Sequence, residues 1–232
     1  MLMLFACGPK PEVKISNVSN NPQEIRDGFF QRYNDINSLA ISGDLSITAD
    51  KAYNCKLQLL YASPDSFAFM AEGTLGVDLA RGAICGDSGF WEIPREQYHE
   101  KLHQGDRINF ENGKFQIDIE QLLQAVFYFR KYADVDFIKQ TGSRFTYSYG
   151  ADNCKIIMEI NRDSLTPVRQ TFISSSDKTY AEYYDWKLSS DNIMFPGRIK
   201  IYSFQPNTVL EYKIDKIKAN HSLKTSFFLP KF

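Results

Sequence analysis

The sequence lacks the features that mark several common protein classes. Its formal net charge is −1, so no surplus of positive charge favours a nucleic acid as the partner. No apolar run approaches the roughly 18 residues that a membrane-spanning helix needs. There is no Gly-x-Ser-x-Gly nucleophile motif and no phosphate-binding glycine loop. A serine hydrolase with this motif, a phosphate-loop nucleotide-binding protein and a nucleic-acid-binding protein therefore have no sequence support.

Cysteine is also scarce, with four residues and no Cys-x-x-Cys spacing for zinc or thiol redox chemistry. We interpret Cys55, Cys85 and Cys154 as small buried apolar residues. One disulfide among them is possible if the compartment is oxidising. Cys7 has a different setting, because it ends an apolar run.

That run is Met1-Leu2-Met3-Leu4-Phe5-Ala6-Cys7, and polar, proline-containing sequence follows it. Leu4-Phe5-Ala6-Cys7 resembles the lipobox of bacterial lipoproteins, which implies that Cys7 becomes the lipidated N-terminus. Only six residues precede Cys7 and none is basic, whereas a complete signal has a cationic segment and a longer apolar one. The two interpretations are a truncated signal and a short tail with a stray cysteine. We predict a truncated lipoprotein signal at 1–7, a flexible tether at 8–20 and one domain at 21–232.

Aromatic residues are abundant, with 18 Phe and 13 Tyr, so the domain can build a large core. Pro22 follows Asn21, which is typical of a helix start, and apolar residues recur at helical spacing from Ile25 to Ile36. Asp118 and Gln121 form a capping-box pattern that predicts a second helix, ending near Tyr132.

Elsewhere apolar residues recur at every second position, which indicates strands. The first strand follows from Leu39, and Gly43 within it indicates a bend or a close backbone approach. Short strands separated by turn residues follow to Ile217, without βαβ alternation. The predicted class is α+β: a single open, unclosed antiparallel β-barrel of about ten to eleven strands, with helices covering its concave apolar face.

The order of these elements resembles the LolA/LolB group of lipoprotein carriers and receptors, and more narrowly an uncharacterised bacterial lipoprotein family distantly similar to LolB. The resemblance is carried by Ser42-Gly43-Asp44-Leu45, Gly73-Thr74-Leu75-Gly76-Val77, Arg81, the Gly86–Gly89 turn and Phe227-Phe228-Leu229-Pro230. It implies an apolar hollow that binds acyl chains. It also implies a protruding apolar loop that delivers lipoproteins to the membrane, for which Leu75 and its neighbour Val77 are the candidates.

Six aromatic residues on alternating strands are candidates to line the hollow: Phe67, Phe69, Trp91, Phe172, Tyr184 and Trp186. An acyl site needs an apolar concavity with few polar demands, which such residues can supply. The alternative is that they simply fill a core, and Leu75 could equally be tucked back onto the sheet.

The segment His99-Glu100-Lys101-Leu102-His103 matches the His-Glu-x-x-His zinc motif. On a helix the two histidines would share one face, with Glu100 as a general base. Lys101 and the polar neighbours argue against a buried catalytic helix, and no third ligand is evident. We interpret the segment as a solvated polar helix or loop, and predict no metal, no cofactor and no catalytic residue.

The sequence therefore predicts a non-enzymatic, monomeric lipoprotein on the outer membrane, anchored through Cys7 and facing the periplasm. Its partners would be an acyl chain or a lipoprotein and, through the N-terminal lipid, the membrane. An envelope scaffold that binds a protein partner is the alternative, and a zinc peptidase is a third possibility.

Overall fold

The computed structural model describes residues 19–49, 51–62, 66–86, 88–103, 107–110, 115–129, 134–151, 154–174, 178–189, 193–204 and 207–223. The predicted signal, Cys7, most of the predicted tether and the Phe227–Pro230 segment lie outside these ranges. None of the helices in the described ranges is long and apolar enough to cross a membrane.

The described ranges contain two helices, α1 (Pro22–Gln31) and α2 (Ile119–Val126), and a series of strands. The strands are β1 (Ser38–Thr48), β2 (Ala52–Ala62), β3 (Ser66–Glu72), β4 (Asp78–Cys85), β5 (Ser88–Ile93), β6 (Tyr98–His103), β7 (Arg107–Phe110), β8 (Phe115–Asp118), β9 (Val135–Thr141), β10 (Arg144–Ala151), β11 (Cys154–Asn161), β12 (Thr166–Ile173), β13 (Lys178–Tyr184), β14 (Lys187–Leu188), β15 (Met194–Phe195), β16 (Arg198–Phe204) and β17 (Asn207–Ala219).

Thirteen of the described strands form one open antiparallel sheet in the order β6-β5-β4-β3-β2-β1-β17-β16-β13-β12-β11-β10-β9. The strand pairs β7–β8 and β14–β15 form two small separate sheets. The predicted open sheet is confirmed, but ten to eleven strands was too few, because the edge strands β6 and β9 carry many polar residues and lack clear apolar alternation. The helices are also shorter than predicted: α1 ends at Gln31 and α2 at Val126.

The main sheet has an apolar inner face, on which most of the core is built. Cross-strand registers such as Ile41↔Leu59 and Ile41↔Ile217 place alternate residues of neighbouring strands together. These residues are buried with Ile25 and Phe29 of α1 in one hydrophobic cluster. The residues between them point to the outer face, because side chains alternate along a strand.

The sheet has two ends, which we call the loop end and the helix end. The loop end carries the β3–β4 turn at 73–77, and the register places the C-terminal ends of β1, β5 and β12 at this same end of the sheet. The helix end carries the β11–β12 turn, where Arg32 donates a hydrogen bond to the carbonyl oxygen of Ser164 at 2.7 Å. Tyr147 also donates to the carbonyl oxygen of Pro22 at 2.7 Å, so α1 is fixed at the helix end.

Gly43 lies at an irregularity in the β1–β17 pairing, where Ser42 pairs with Lys216 and Gly43 with Ile214. Asp215 is thus an extra residue on β17, as in a β-bulge. A Cβ on Gly43 would stand 1.9 Å from the carbonyl oxygen of Lys213. The close backbone approach predicted from the sequence is confirmed.

The outer face of β12, β13, β16 and β17 carries rows of alternating charge. Arg169 pairs with Glu182 on the next strand, and Lys200 pairs with Glu211 at 3.0 Å. Tyr184 also donates a hydrogen bond to Glu182. Partial burial opposes ionisation of Glu182, but the hydrogen bonds from Arg169 and Tyr184 and the nearby positive charges outweigh it and lower the pKa of Glu182.

We expect Gly43→Ala to lower the free energy of unfolding by about 2–4 kcal/mol, because the carbonyl that a methyl group would strike belongs to the backbone. Urea unfolding measures the change. Gly150→Ala is the matched control, since a Cβ on Gly150 meets no atom within 4 Å. Equal stability of the two variants would contradict the tight contact at Gly43.

The lowered pKa of Glu182 predicts a pH dependence of stability. The contribution of Glu182 is fully present above the usual glutamate pKa, about 4.3, and is lost as the pH falls through the lower pKa of the folded state. Glu182→Gln should therefore reduce the melting temperature at pH 7 and flatten its decline between about pH 5 and pH 3. The exposed Glu96→Gln serves as the control, and a decline as steep in Glu182→Gln as in the parent protein would contradict the prediction.

Candidate functional site

The space over the inner face, which we call the hollow, is partly filled by three consecutive aromatic residues. Phe127, Tyr128 and Phe129 follow α2 directly and are at most 5% exposed. Phe127 contacts Tyr61 and Phe67, with ring centroids 5.4 and 5.3 Å apart. The aromatic segment 127–129 therefore occupies the hollow between α1 and β2–β3.

The other side of the aromatic segment reaches the C-terminal half of the sheet. Tyr128 contacts Tyr183 of β13 at 5.2 Å and Phe195 of β15 at 5.6 Å between ring centroids. Such tilted and edge-to-face aromatic pairs add to the stabilisation that burial alone provides. The segment thus joins both halves of the open sheet across the hollow.

Hydrogen bonds hold the aromatic segment from two sides. Tyr33, two residues after the end of α1, donates to the carbonyl oxygen of Met194 at 3.0 Å, and Tyr128 donates to the Tyr33 hydroxyl at 3.4 Å. The Tyr183 hydroxyl lies 2.8 Å from the carbonyl oxygen of Ala125, to which it can donate. Burial raises the pKa of Tyr33 and Tyr128, so both hydroxyls stay protonated and can donate.

The inner face is less completely covered at the loop end. Several apolar residues there are only partly buried, although they pack against the main core: Ile47, Cys55, Ala71, Ile93, Val135 and Cys154. Each lies near the loop-end terminus of its strand. In contrast, inner-face residues near α1, such as Leu39 and Phe145, are fully buried. The partly exposed apolar residues of the inner face therefore include a group at the loop end, although Phe172 and Ile156 near the same end are fully buried.

The turn at the loop end displays Leu75. Its side chain is 100% exposed, and Val77 is 42% exposed. Leu75 and Gly76 have φ angles of 70° and 71°, in the left-handed region that a leucine rarely adopts. Gly73 closes the turn by donating to the carbonyl oxygen of Val77 at 2.8 Å. The turn thus holds an apolar side chain away from the sheet, in water.

Five of the six predicted lining residues share the inner face. Phe67 and Trp91 are buried on β3 and β5, and Phe172 is fully buried on β12. Phe69 and Trp186 are partly buried and pack against the same core.

Tyr184 does not join this group, and the prediction for it needs correction. Its neighbour Tyr183 is buried on the inner face, so strand alternation directs Tyr184 to the outer face. There the guanidinium of Arg198 lies 4.9 Å from its ring centroid. The sequence did not resolve which of the two neighbouring tyrosines faces inwards.

The segment 99–103 forms part of the edge strand β6, not the polar helix or loop that was predicted. His99 and His103 are four residues apart on this strand, which places their Cα atoms about 13 Å apart, too far for one metal ion. Glu100 lies on the other side of the strand and accepts a hydrogen bond from Trp91 at 3.1 Å. Within the described residues no group of three His, Cys, Asp or Glu side chains could hold a metal ion.

The cysteines also differ from the prediction. Cys85 is exposed, and Cys55 and Cys154 are partly buried, so they are not the fully buried residues expected. Among the described residues, no disulfide joins these three cysteines.

Sequence comparisons find no matching protein-family model and no matching curated protein. Solved structures, however, share the fold. A DUF1329 family protein from Desulfovibrio piger has a TM-score of 0.67 at 9% identity, over 90% of this chain and 95% of that one. The chain shares this fold. The resemblance to the LolA group is confirmed, at the level of the fold, by a LolA superfamily structure that the chain also matches.

Two further structures support this assignment. One is a domain from Vibrio parahaemolyticus that is named provisionally as an outer membrane lipoprotein-sorting protein. It has a TM-score of 0.63 at 12% identity, over 90% of this chain and 97% of that one. A LolA superfamily protein from Nitrosomonas europaea has a TM-score of 0.62 at 13% identity, over 88% and 97%. At these identities the likeness concerns the fold.

Removing the ring of Phe127 should leave a cavity between Tyr61 and Phe67. We expect Phe127→Ala to lower the free energy of unfolding by about 3–5 kcal/mol, and the variant to be stabilised by benzene, which dry apolar cavities bind. Thermal unfolding with and without benzene measures both effects. Phe137→Ala, at a position that is 44% exposed, is the control. Equal losses at Phe127 and Phe137 would contradict the filling role of the aromatic segment.

Proposed function

We propose that this protein binds an acyl chain of a lipid or lipoprotein in the loop-end part of its hollow. The proposal rests on one observation: two features lie at the same end of the sheet. The partly exposed inner-face residues Ile47, Ala71 and Ile93 lie at the end where the turn displays Leu75. An acyl chain gains most of its binding free energy by leaving water, which such apolar surface permits.

The proposal extends to the membrane through two features. Leu75 would enter the acyl region of a bilayer while the chain passes between the hollow and the membrane. Cys7 would carry the lipid that anchors the protein to the outer membrane, on its periplasmic side. Cys7 and Ser19 are twelve residues apart, a separation that can reach about 40 Å when extended. That reach is comparable to the length of β1, so an anchored domain could bring its loop end to the same bilayer.

The fold comparisons support a binding function in place of catalysis. The Vibrio and Nitrosomonas proteins are named for lipoprotein sorting and for the LolA superfamily. The inner face presents mainly apolar and aromatic side chains, and the hydroxyls of Tyr33, Tyr128 and Tyr183 are engaged in holding α2 and the aromatic segment. We therefore propose a monomeric carrier or receptor for acyl chains without enzymatic activity.

The direct test is transfer of a fluorescent phospholipid or lipoprotein from the protein to vesicles. We expect Leu75→Glu to slow transfer 10- to 100-fold, because burying a leucine contributes about 1.5–3 kcal/mol. Binding of the acyl chain itself should stay unchanged, since Leu75 points away from the sheet.

Leu188→Glu is the matched control, because Leu188 is 54% exposed on the small β14–β15 sheet. Unchanged transfer by Leu75→Glu would contradict the role of the turn. Failure of the parent protein to bind any acyl chain would contradict the carrier function, and would favour an envelope scaffold whose partner is a protein.

A further inference from the structure

Three hydroxyl-bearing residues stand side by side on the inner face at the loop end. The register pairs Thr179 of β13 with Ser203 of β16, and Ser203 with Thr208 of β17. The next inner-face row towards the helix end is apolar: Ala181, Ile201 and Leu210. We call the three residues Thr179, Ser203 and Thr208 the hydroxyl row; the nearest other buried polar residue is Gln170 of β12, which pairs with Ala181 and is hydrogen-bonded to Tyr149.

Two members of the hydroxyl row are buried, and Ser203 is partly buried. Thr179 is 3% exposed and Thr208 is 1% exposed. Among the described residues, the Thr208 hydroxyl oxygen has no hydrogen-bond partner. Leaving a buried hydroxyl without a partner is costly, and such groups are rare in folded proteins. The unpaired hydroxyl of Thr208 on the wall of the hollow therefore needs a physical explanation.

The surroundings of Thr208 indicate what could satisfy it. Its neighbour along β17 on the inner face is Leu210, which pairs with the partly exposed Ile47. Among the described residues of β13, β16 and β17, no charged side chain shares the hydroxyl row or the row next to it. A neutral acceptor attached to an apolar chain matches this setting, whereas a charged group would lose its hydration without a counter-charge.

We propose that the hydroxyl row is a polar subsite in which Thr208 donates a hydrogen bond to the carbonyl oxygen of a fatty acyl group. This inference rests on the proposed acyl-binding function and adds to it the orientation of the ligand. The carbonyl lies at the hydroxyl row, and the hydrocarbon chain extends along the apolar rows. The few polar groups of an apolar pocket commonly fix a ligand's orientation in this way.

The test is Thr208→Val, which keeps the shape of the side chain and removes the hydroxyl. Two effects of opposite sign are expected. The ligand-free protein should melt about 2–4 °C higher, because an unpaired buried hydroxyl is gone. Affinity for methyl cis-parinarate, a fluorescent acyl ester, should fall about 5- to 10-fold, because the ligand loses one hydrogen bond.

Two other probes complete the measurement. Diphenylhexatriene, a hydrocarbon without a carbonyl, should bind the variant as it binds the parent protein. Free cis-parinaric acid distinguishes the source of the carbonyl. If Thr208→Val loses more affinity for the ester than for the acid, the ligand is a neutral acyl ester. If the two losses of affinity are equal, Thr208 binds the carbonyl group that the ester and the acid share.

Thr166→Val is the matched control at the helix end. Thr166 is 4% exposed, but its hydroxyl lies 2.7 Å from that of Ser164 and is hydrogen-bonded to it. This variant should melt at a lower temperature and bind all three probes unchanged.

The inference is overturned if Thr208→Val lowers the melting temperature, or if it changes binding of the ester and the hydrocarbon equally or not at all. If the parent protein binds the probes but Thr208→Val does not change melting temperature and ester affinity as expected, the proposed function stands without the subsite. If the parent protein binds none of the probes, both proposals fail together.

Discussion

The constraint on which the structure depends is that an open sheet must cover its apolar inner face. A closed barrel fills its own interior, whereas this sheet ends at β6 and β9 and needs other elements to exclude water. The two helices are short, and the aromatic segment 127–129 supplies much of the remaining cover. The contacts of Phe127 with Tyr61 and of Tyr128 with Tyr183 bring the two halves of the sheet together.

That cover is asymmetric, and the asymmetry is what suggests a function. Helix α1 is fixed to the helix end by the hydrogen bond from Arg32 to Ser164 and by that from Tyr147 to Pro22. The loop end has partly exposed apolar residues on the inner face and Leu75 held outwards by a turn with positive φ angles. A longer ligand chain could enter the filled part of the hollow only by displacing the aromatic segment. Hydrogen bonds of tyrosine hydroxyls hold that segment in place.

The sequence was sufficient for the open sheet, the start of α1 and the close approach at Gly43, because each has a local signature. Alternation of apolar residues, the Asn21 cap and a glycine in a strand all act over a few residues. Strand β6 was missed because His99, Glu100 and Lys101 hide its alternation. Tyr184 was assigned to the wrong face because the sequence allows either Tyr183 or Tyr184 to face inwards. Three consecutive aromatic residues after an amphipathic helix were the available signal for the aromatic segment, but which strands they contact depends on tertiary structure.

The central claim is that an acyl chain lies in the hollow at the loop end. A fatty acid with a photoactivatable diazirine on its chain tests this most directly, when it is crosslinked to the protein and the adducts are located by mass spectrometry. The account predicts adducts on loop-end inner-face residues such as Ile47, Ala71 and Ile93, removed by an excess of unlabelled fatty acid. Adducts confined to the outer face, or spread over the surface and insensitive to competition, would contradict it.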